Sequence, residues 1–146
     1  MTLAIEPLHP MYASDRCVVS TLAQALDIAA DFAPETVGVT VDTFHIWWDP
    51  DVVASVERAG REGRIATYQV RDWKTPLPAD VLLGRHSPGD GVIDFGPMTA
   101  AVVASGYDPD IEVEIFNEDI WATDPAVAVR RTAAGFASAV SPHLAP

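Results

Sequence analysis

Four oxygen-bearing side chains stand where apolar, β-branched segments give way to polar sequence. Glu6 follows Leu3-Ala4-Ile5, and Asp42 closes Val37-Gly38-Val39-Thr40-Val41. Gln69 lies near the end of Ile65–Val70, and Glu114 lies in Ile111–Phe116. Three carboxylates and an amide brought together would form a hard, all-oxygen pocket, which suits Mg²⁺ or Mn²⁺ better than a thiophilic metal. A cation there would offset the repulsion that otherwise protonates one carboxylate. It would polarise a substrate carbonyl or hydroxyl. Two flanking carboxylates could then move a proton at the adjacent carbon, which is the chemistry of aldose–ketose isomerisation and ketose epimerisation.

Each residue also has a plainer reading. Glu6 could be a surface acid at a frayed end, Asp42 a turn or cap residue, and Gln69 a partner for backbone groups. Glu114 sits between Val113 and Ile115, where an unpaired carboxylate is costly. Glu112 shares its strand face with Glu114, two residues on. Beyond these, His45 stands three residues after Asp42 in Asp42-Thr43-Phe44-His45-Ile46-Trp47-Trp48-Asp49-Pro50. A loop histidine there could hydrogen-bond a sugar hydroxyl. Trp47 and Trp48 could stack on a sugar face or simply pack. His9 and His86 have no evident partner and read as surface residues, and Cys17 has no base to activate it.

The elements that must position these groups alternate. Strands are expected at Leu3–Glu6, Val37–Asp42, Ile65–Val70 and Ile111–Phe116. The expected helices run over Thr21–Phe32, from Asp49-Pro50 to about Gly60, from Gly96-Pro97 to Gly106, and from Asp124-Pro125 toward Pro142. Thr21 and Gln24 have capping-box spacing, and Asp-Pro is a helix-start signal. Pro76–Gly84 reads as a loop with room for one helical turn. Strands alternating with helices imply a parallel α/β sheet, either an open doubly wound sheet or part of a (β/α)8 barrel. Two features favour the barrel. The polar residues fall at strand C-termini, which form the active-site face of such barrels. They are 36, 27 and 45 residues apart, against roughly 31 per unit in a barrel of about 250 residues. No glycine-rich phosphate loop follows the first strand, which weakens a nucleotide-binding reading.

Composition narrows the partners. The 146 residues suffice for one domain, read as spanning 1–146. With 21 Asp+Glu against 9 Lys+Arg, the net charge is −12. Such a surface repels phosphate backbones and anionic membranes. No apolar run reaches membrane-spanning length and no signal peptide is legible. The single cysteine fits a reducing cytoplasm.

The chain resembles the sugar phosphate isomerase/epimerase family, the xylose isomerase-like TIM barrels. The resemblance rests on Leu3–Leu8, Val41-Asp42-Thr43-Phe44-His45, Gln69-Val70-Arg71-Asp72-Trp73, Pro88–Asp94, Ser105-Gly106-Tyr107 and Ile111–Phe116, in that order. It covers almost the whole chain and matches the second half of the family, roughly strands 5–8 with their helices. It implies a metal site of Glu6, Asp42, Gln69 and Glu114, filled by Mn²⁺ or Mg²⁺, with Co²⁺ as a further candidate. Glu6 and Glu114 would be the proton-transfer pair, and His45 and Arg85 would bind a sugar or sugar phosphate beside Trp47.

Three departures stand out. Gln69 replaces the family's histidine ligand, and His9-Pro10-Met11-Tyr12 replaces a loop that carries a further glutamate in ketose epimerases. The chain also begins at what should be the fifth strand, so the fold class expected is a partial barrel. A second copy pairing to close the barrel, a separate first half, or truncation of a longer gene product would each account for that. Truncation is the expectation, because Met1 falls at a strand start. The isolated chain is then expected to bind metal weakly and to turn over little. The alternatives in the same fold are an inosose-type polyol dehydratase, a DNA-repair endonuclease disfavoured by the charge, and an inactive sugar-binding or oligomerisation module.

Overall fold

In the computed structural model, which describes residues 1–144, the β-branched run Val37–Asp42 is buried at every position and forms the centre of the sheet. The strands are β1 (Leu3–Ile5), β2 (Val37–Asp42), β3 (Ile65–Gln69), β4 (Asp72–Trp73), β5 (Arg85–His86) and β6 (Ile111–Glu112). The main sheet has the order β1-β2-β3-β6, parallel throughout, and β4 and β5 make a separate antiparallel pair. A parallel sheet covered on both sides carries near-continuous apolar strands, and Val39 and Val41 in β2 are fully buried accordingly. The register aligns Asp42 with Gln69 and Gln69 with Glu112, so polar side chains form a row across the C-terminal ends of three strands.

The helices are α1 (Leu22–Ala29), α2 (Thr43–Ile46), α3 (Val52–Arg61), α4 (Phe95–Ala104), α5 (Glu118–Trp121) and α6 (Pro125–Ala139). The capping box of α1 is complete: Gln24 N donates to Thr21 Oγ1 and Thr21 N donates to Gln24 Oε1, both at 3.2 Å. Leu22, Ala25, Leu26 and Ala29 follow at helical spacing and are buried. Asp124 likewise caps α6 by accepting from Ala126 N and Val127 N. In α3, Gly60 lies directly under Ser105. A Cβ at Gly60 would sit 2.3 Å from Ser105 Cβ, so glycine permits this close approach.

Several boundaries differ from the sequence expectation, each for a local reason. The helix expected at Pro50 begins at Val52, because Asp49 Oδ1 first accepts from Asp51 N at 2.9 Å and closes a turn. The strand expected over Ile111–Phe116 is laddered only at Ile111–Glu112. Val70 N donates to Glu112 O, and the chain then leaves the sheet toward β4, so Val113–Phe116 have no neighbour on that side. Helix α2 starts immediately on Asp42, which caps it. His9 and His86, expected at the surface, are half-buried. The His9 ring packs against Trp73 and Trp48, with centroids 4.7 and 5.8 Å away, because the loop after β1 folds over the aromatic cluster.

No helix among the described residues is long and apolar enough to cross a membrane. Beside β6 an open apolar groove of about 500 Å³ runs between Ile111, Val113 and Ile115 on one side and Val129 and Phe136 of α6 on the other.

The loop between β5 and α4 is organised by one buried carboxylate. Asp72 is 1% exposed and accepts from four backbone N–H groups: Trp73 and Ile93 on Oδ1, and Gly89 and Gly91 on Oδ2, at 2.8–3.0 Å. A Cβ at Gly91 would lie 2.4 Å from Asp72 Oδ1, so the backbone approaches as closely as it does only because residue 91 is glycine. Asp72→Ala leaves these donors unsatisfied and is expected to cost about 3 kcal/mol of stability. Urea unfolding measures it, and a loss below about 1 kcal/mol would contradict this role.

Candidate metal and substrate site

The loops at the C-terminal ends of the strands enclose a cavity of about 270 Å³. Its wall includes Glu6, Leu8, Tyr12, Arg16, His45, Arg71, Leu82, Arg85, Glu114 and Phe116. Glu6 follows β1, Asp42 ends β2, Arg71 lies two residues past β3 and Glu114 two residues past β6. The parallel ladder therefore delivers one ionisable group from each strand to the same end.

Asp42 does two things at once. It is fully buried, and its Oδ1 accepts from Phe44 N at 3.0 Å as the cap of α2. Its Oδ2 has no hydrogen-bond partner other than the Arg71 guanidinium pressed against it. Arg71 is held from behind by Thr43, whose Oγ1 donates to Arg71 O at 2.8 Å and accepts from Arg71 N at 3.0 Å. From that fixed backbone the guanidinium reaches Glu114 Oε2 at 2.6 Å and lies 3.7 Å from Glu6 Oε1. Burial, then the like charge of Arg85, lowers its pKa to about 10, which leaves it cationic at neutral pH. Arg85 donates to the same Glu114 Oε2 at 2.5 Å. Its guanidinium lies over Phe116 and Phe44, with ring centroids 4.5 and 5.2 Å away, and its carbonyl accepts from Asn117 Nδ2.

His45 is 2% exposed. Its Nδ1 accepts from His9 N at 3.1 Å, so the hydrogen belongs on Nε2 by elimination. Nε2 faces Asp42 Oδ2 at 3.8 Å and Glu6 Oε1 at 3.9 Å. Burial first, then Arg85, His9 and Arg16, lowers its pKa to about 3, so the ring is neutral and presents an N–H. Burial, the largest influence on Glu6, raises that carboxyl above the ordinary range although Arg71 pulls the other way. The histidine shift has a measurable consequence. The unfolded chain takes up a proton on His45 below about pH 6.5, which the folded chain resists until about pH 3. Stability from this group is complete above pH 6.5 and is lost as pH falls toward 3. Between pH 7 and 5 it amounts to about 2 kcal/mol. His45→Gln should remove that part of the acid sensitivity in unfolding curves at the two pH values; an unchanged pH slope would contradict it.

Glu6, Asp42 and His45 each offer one donor atom, all within 4.8 Å of one another. The carboxylate oxygens of Glu6 and Asp42 are of the type that fits a divalent cation, and Glu114 joins them through Arg71, the guanidinium that also meets the buried Asp42 Oδ2. His45 fits less well as a ligand, because a nitrogen lone pair on Nε2 requires the other tautomer and loss of the His9 N–H bond. Gln69 lies outside the cavity wall and its Nε2 donates to Glu112 Oε2 at 2.8 Å. Trp47 also lies outside it, half-buried against Trp73 with ring centroids 5.4 Å apart. Sequence reading did not single out Arg71. Its signal was its position two residues after Gln69, where strand alternation puts both on the same side.

The comparisons with known proteins agree with this architecture. A family model described as "Xylose isomerase-like TIM barrel" matches residues 1–138. A curated protein named inosose isomerase, from Bacillus subtilis (strain 168), is 27% identical over 108 residues, which are 73% of this chain and 38% of that protein. A crystal structure of a protein from Sinorhizobium meliloti 1021 superposes with a TM-score of 0.88 at 42% identity, over 95% of this chain and 50% of that one. The IolI protein, crystallised with a bound zinc atom, superposes with a TM-score of 0.82 at 24% identity, over 100% of this chain and 51% of that one. The chain thus spans about half the length of these solved structures. From the match over residues 1–138, together with the parallel α/β sheet that gathers Glu6, Asp42 and Glu114 at its C-terminal end, it follows that the chain belongs to the xylose isomerase-like TIM barrel family.

Proposed function

We propose that the chain is the second half of a barrel whose carboxylate site serves a divalent-metal-dependent isomerisation or epimerisation of a sugar or polyol ketone. The observation that supports this most is that Glu6 and Glu114 line one cavity with the neutral His45, while Asp42, buried behind that wall, meets the same His45 and Arg71. The likeness to a protein named inosose isomerase points to a cyclic polyol ketone as the first substrate to try.

In this reading Glu6, Asp42 and Glu114 would hold the cation. Gln69 is the fourth ligand by position, and its Oε1 is the oxygen it would offer. All-oxygen donors favour Mn²⁺ or Mg²⁺, with Co²⁺ next. When bound, the cation would supply Lewis-acid polarisation of the substrate carbonyl. The chain's own residues do the rest. Glu6 and Glu114 exchange the proton on the carbon next to the carbonyl. Burial makes the Glu6 carboxyl a better proton holder than an ordinary glutamate. His45 donates Nε2–H to a substrate oxygen, and Arg85 orients Glu114. Trp47, behind the wall on Trp73, acts on the substrate only through the packing of that cluster. A polyol dehydratase on the same residues is the second reading, and it differs in expelling a hydroxyl.

Incubation of the chain with an inosose and Mn²⁺ in deuterium oxide tests the proposal. Deuterium should enter the substrate at the carbon beside the carbonyl, without loss of water. Exchange accumulates over hours and registers slow turnover. Elimination of water would favour the dehydratase, and no exchange at saturating metal and substrate would refute both.

A further inference from the structure

The cation that touches the carboxylates is a side chain. Arg71 is 1% exposed, its backbone is clamped by Thr43, and its guanidinium contacts Asp42, Glu114 and Glu6, the three carboxylates of the site. Arg71 reaches all three from within, and the oxygen it meets on Asp42 is the one that no hydrogen bond satisfies. Resting on the reading of these carboxylates as a cation site, we propose that the Arg71 guanidinium and a divalent metal ion compete for one position among Glu6, Asp42 and Glu114. Arg71 then sets the metal affinity of the site.

The physical basis is charge and space. A positive group held between three carboxylates neutralises them in the way a metal would. A metal entering beside it meets like-charge repulsion across a few ångströms in a partly desolvated pocket. Metal entry therefore requires Arg71 to leave Asp42 and turn toward the cavity, where Glu114 and its second arginine partner, Arg85, form the rim. Metal-free protein would keep a self-neutralised, closed site. Metal-loaded protein would expose a mobile guanidinium to the substrate, suited to an anionic or hydroxyl-rich ligand.

Calorimetric titration of the full chain with zinc tests this, using wild type, Arg71→Met, Arg71→Lys and Asp42→Asn. Arg71→Met keeps the stem and removes the charge, and it should bind zinc at least tenfold more tightly than wild type. Arg71→Lys keeps the charge and should gain less than Arg71→Met. Binding of equal strength in wild type and Arg71→Met that Asp42→Asn abolishes would overturn the competition and leave the cation reading standing. No saturable binding in either protein, or binding indifferent to Asp42→Asn, would overturn both. Phenylglyoxal labelling of wild type, read by peptide mass spectrometry, decides the matter even if Arg71→Met does not fold. Zinc should raise modification of Arg71 severalfold, and zinc-bound protein with Arg71 still protected would overturn the proposal.

Discussion

Glu6→Gln and Glu114→Gln, each alone, are expected to lower solvent-deuterium exchange into the substrate by about 10²- to 10⁴-fold, the usual span for a positioned general acid or base. Glutamine keeps the shape of the side chain and an oxygen for the cation but cannot take up or release the proton. The two positions are not equivalent. Glu6 follows β1 and is pushed toward its neutral form chiefly by burial. Glu114 follows β6 with two guanidinium groups on one oxygen. Loss of either should stop exchange at the carbon beside the carbonyl; the thermal melt should stay close to wild type in Glu6→Gln and fall in Glu114→Gln, where the buried Arg85 loses its carboxylate partner. A drop of less than about tenfold in both variants would remove proton transfer from these residues.

Asp42→Ala should be the most destabilising single change in the site, by about 3–5 kcal/mol, the range for breaking a buried ion pair from one side. The carboxylate is fully buried and caps α2 through Oδ1 while meeting Arg71 through Oδ2. Removing it strands a guanidinium that is itself 1% exposed and leaves only the half-exposed Glu6 and Glu114 to compensate. Asp42→Asn keeps the cap and should cost less. Denaturant unfolding of the two variants gives both numbers, and a cost for Asp42→Ala below about 1 kcal/mol would show that the pair contributes nothing net.

The strand β2 and the capping of α1 were legible in the sequence because their signals are local: a β-branched run, and Thr21 three residues before Gln24. The C-terminal placement of Glu6, Asp42 and Gln69 was legible for a related reason, since a parallel sheet puts every strand's polar exit on one side. Arg71 was not. Its meaning depends on the length of its side chain, on the clamp that Thr43 applies across 28 positions, and on contact with Glu114 from 43 positions away, none of which local pattern encodes. The same holds for Asp72, whose four N–H donors come from its chain neighbour and from the loop at Gly89–Ile93. His9 read as a surface residue because aromatic packing with Trp48 and Trp73 is tertiary. The end of β6 was overextended because Val113–Phe116 carry strand-like residues while the neighbouring chain has already turned away to β4.

Glu6, Asp42 and Glu114 are proposed to form a cation site. Anomalous diffraction at the manganese edge, from crystals of the chain grown at saturating Mn²⁺, tests it most directly. One peak is expected within about 2.6 Å of carboxylate oxygens of all three residues, with the Arg71 guanidinium displaced from Asp42. A peak elsewhere, or no peak at saturating manganese with Arg71 still between the carboxylates, would contradict it.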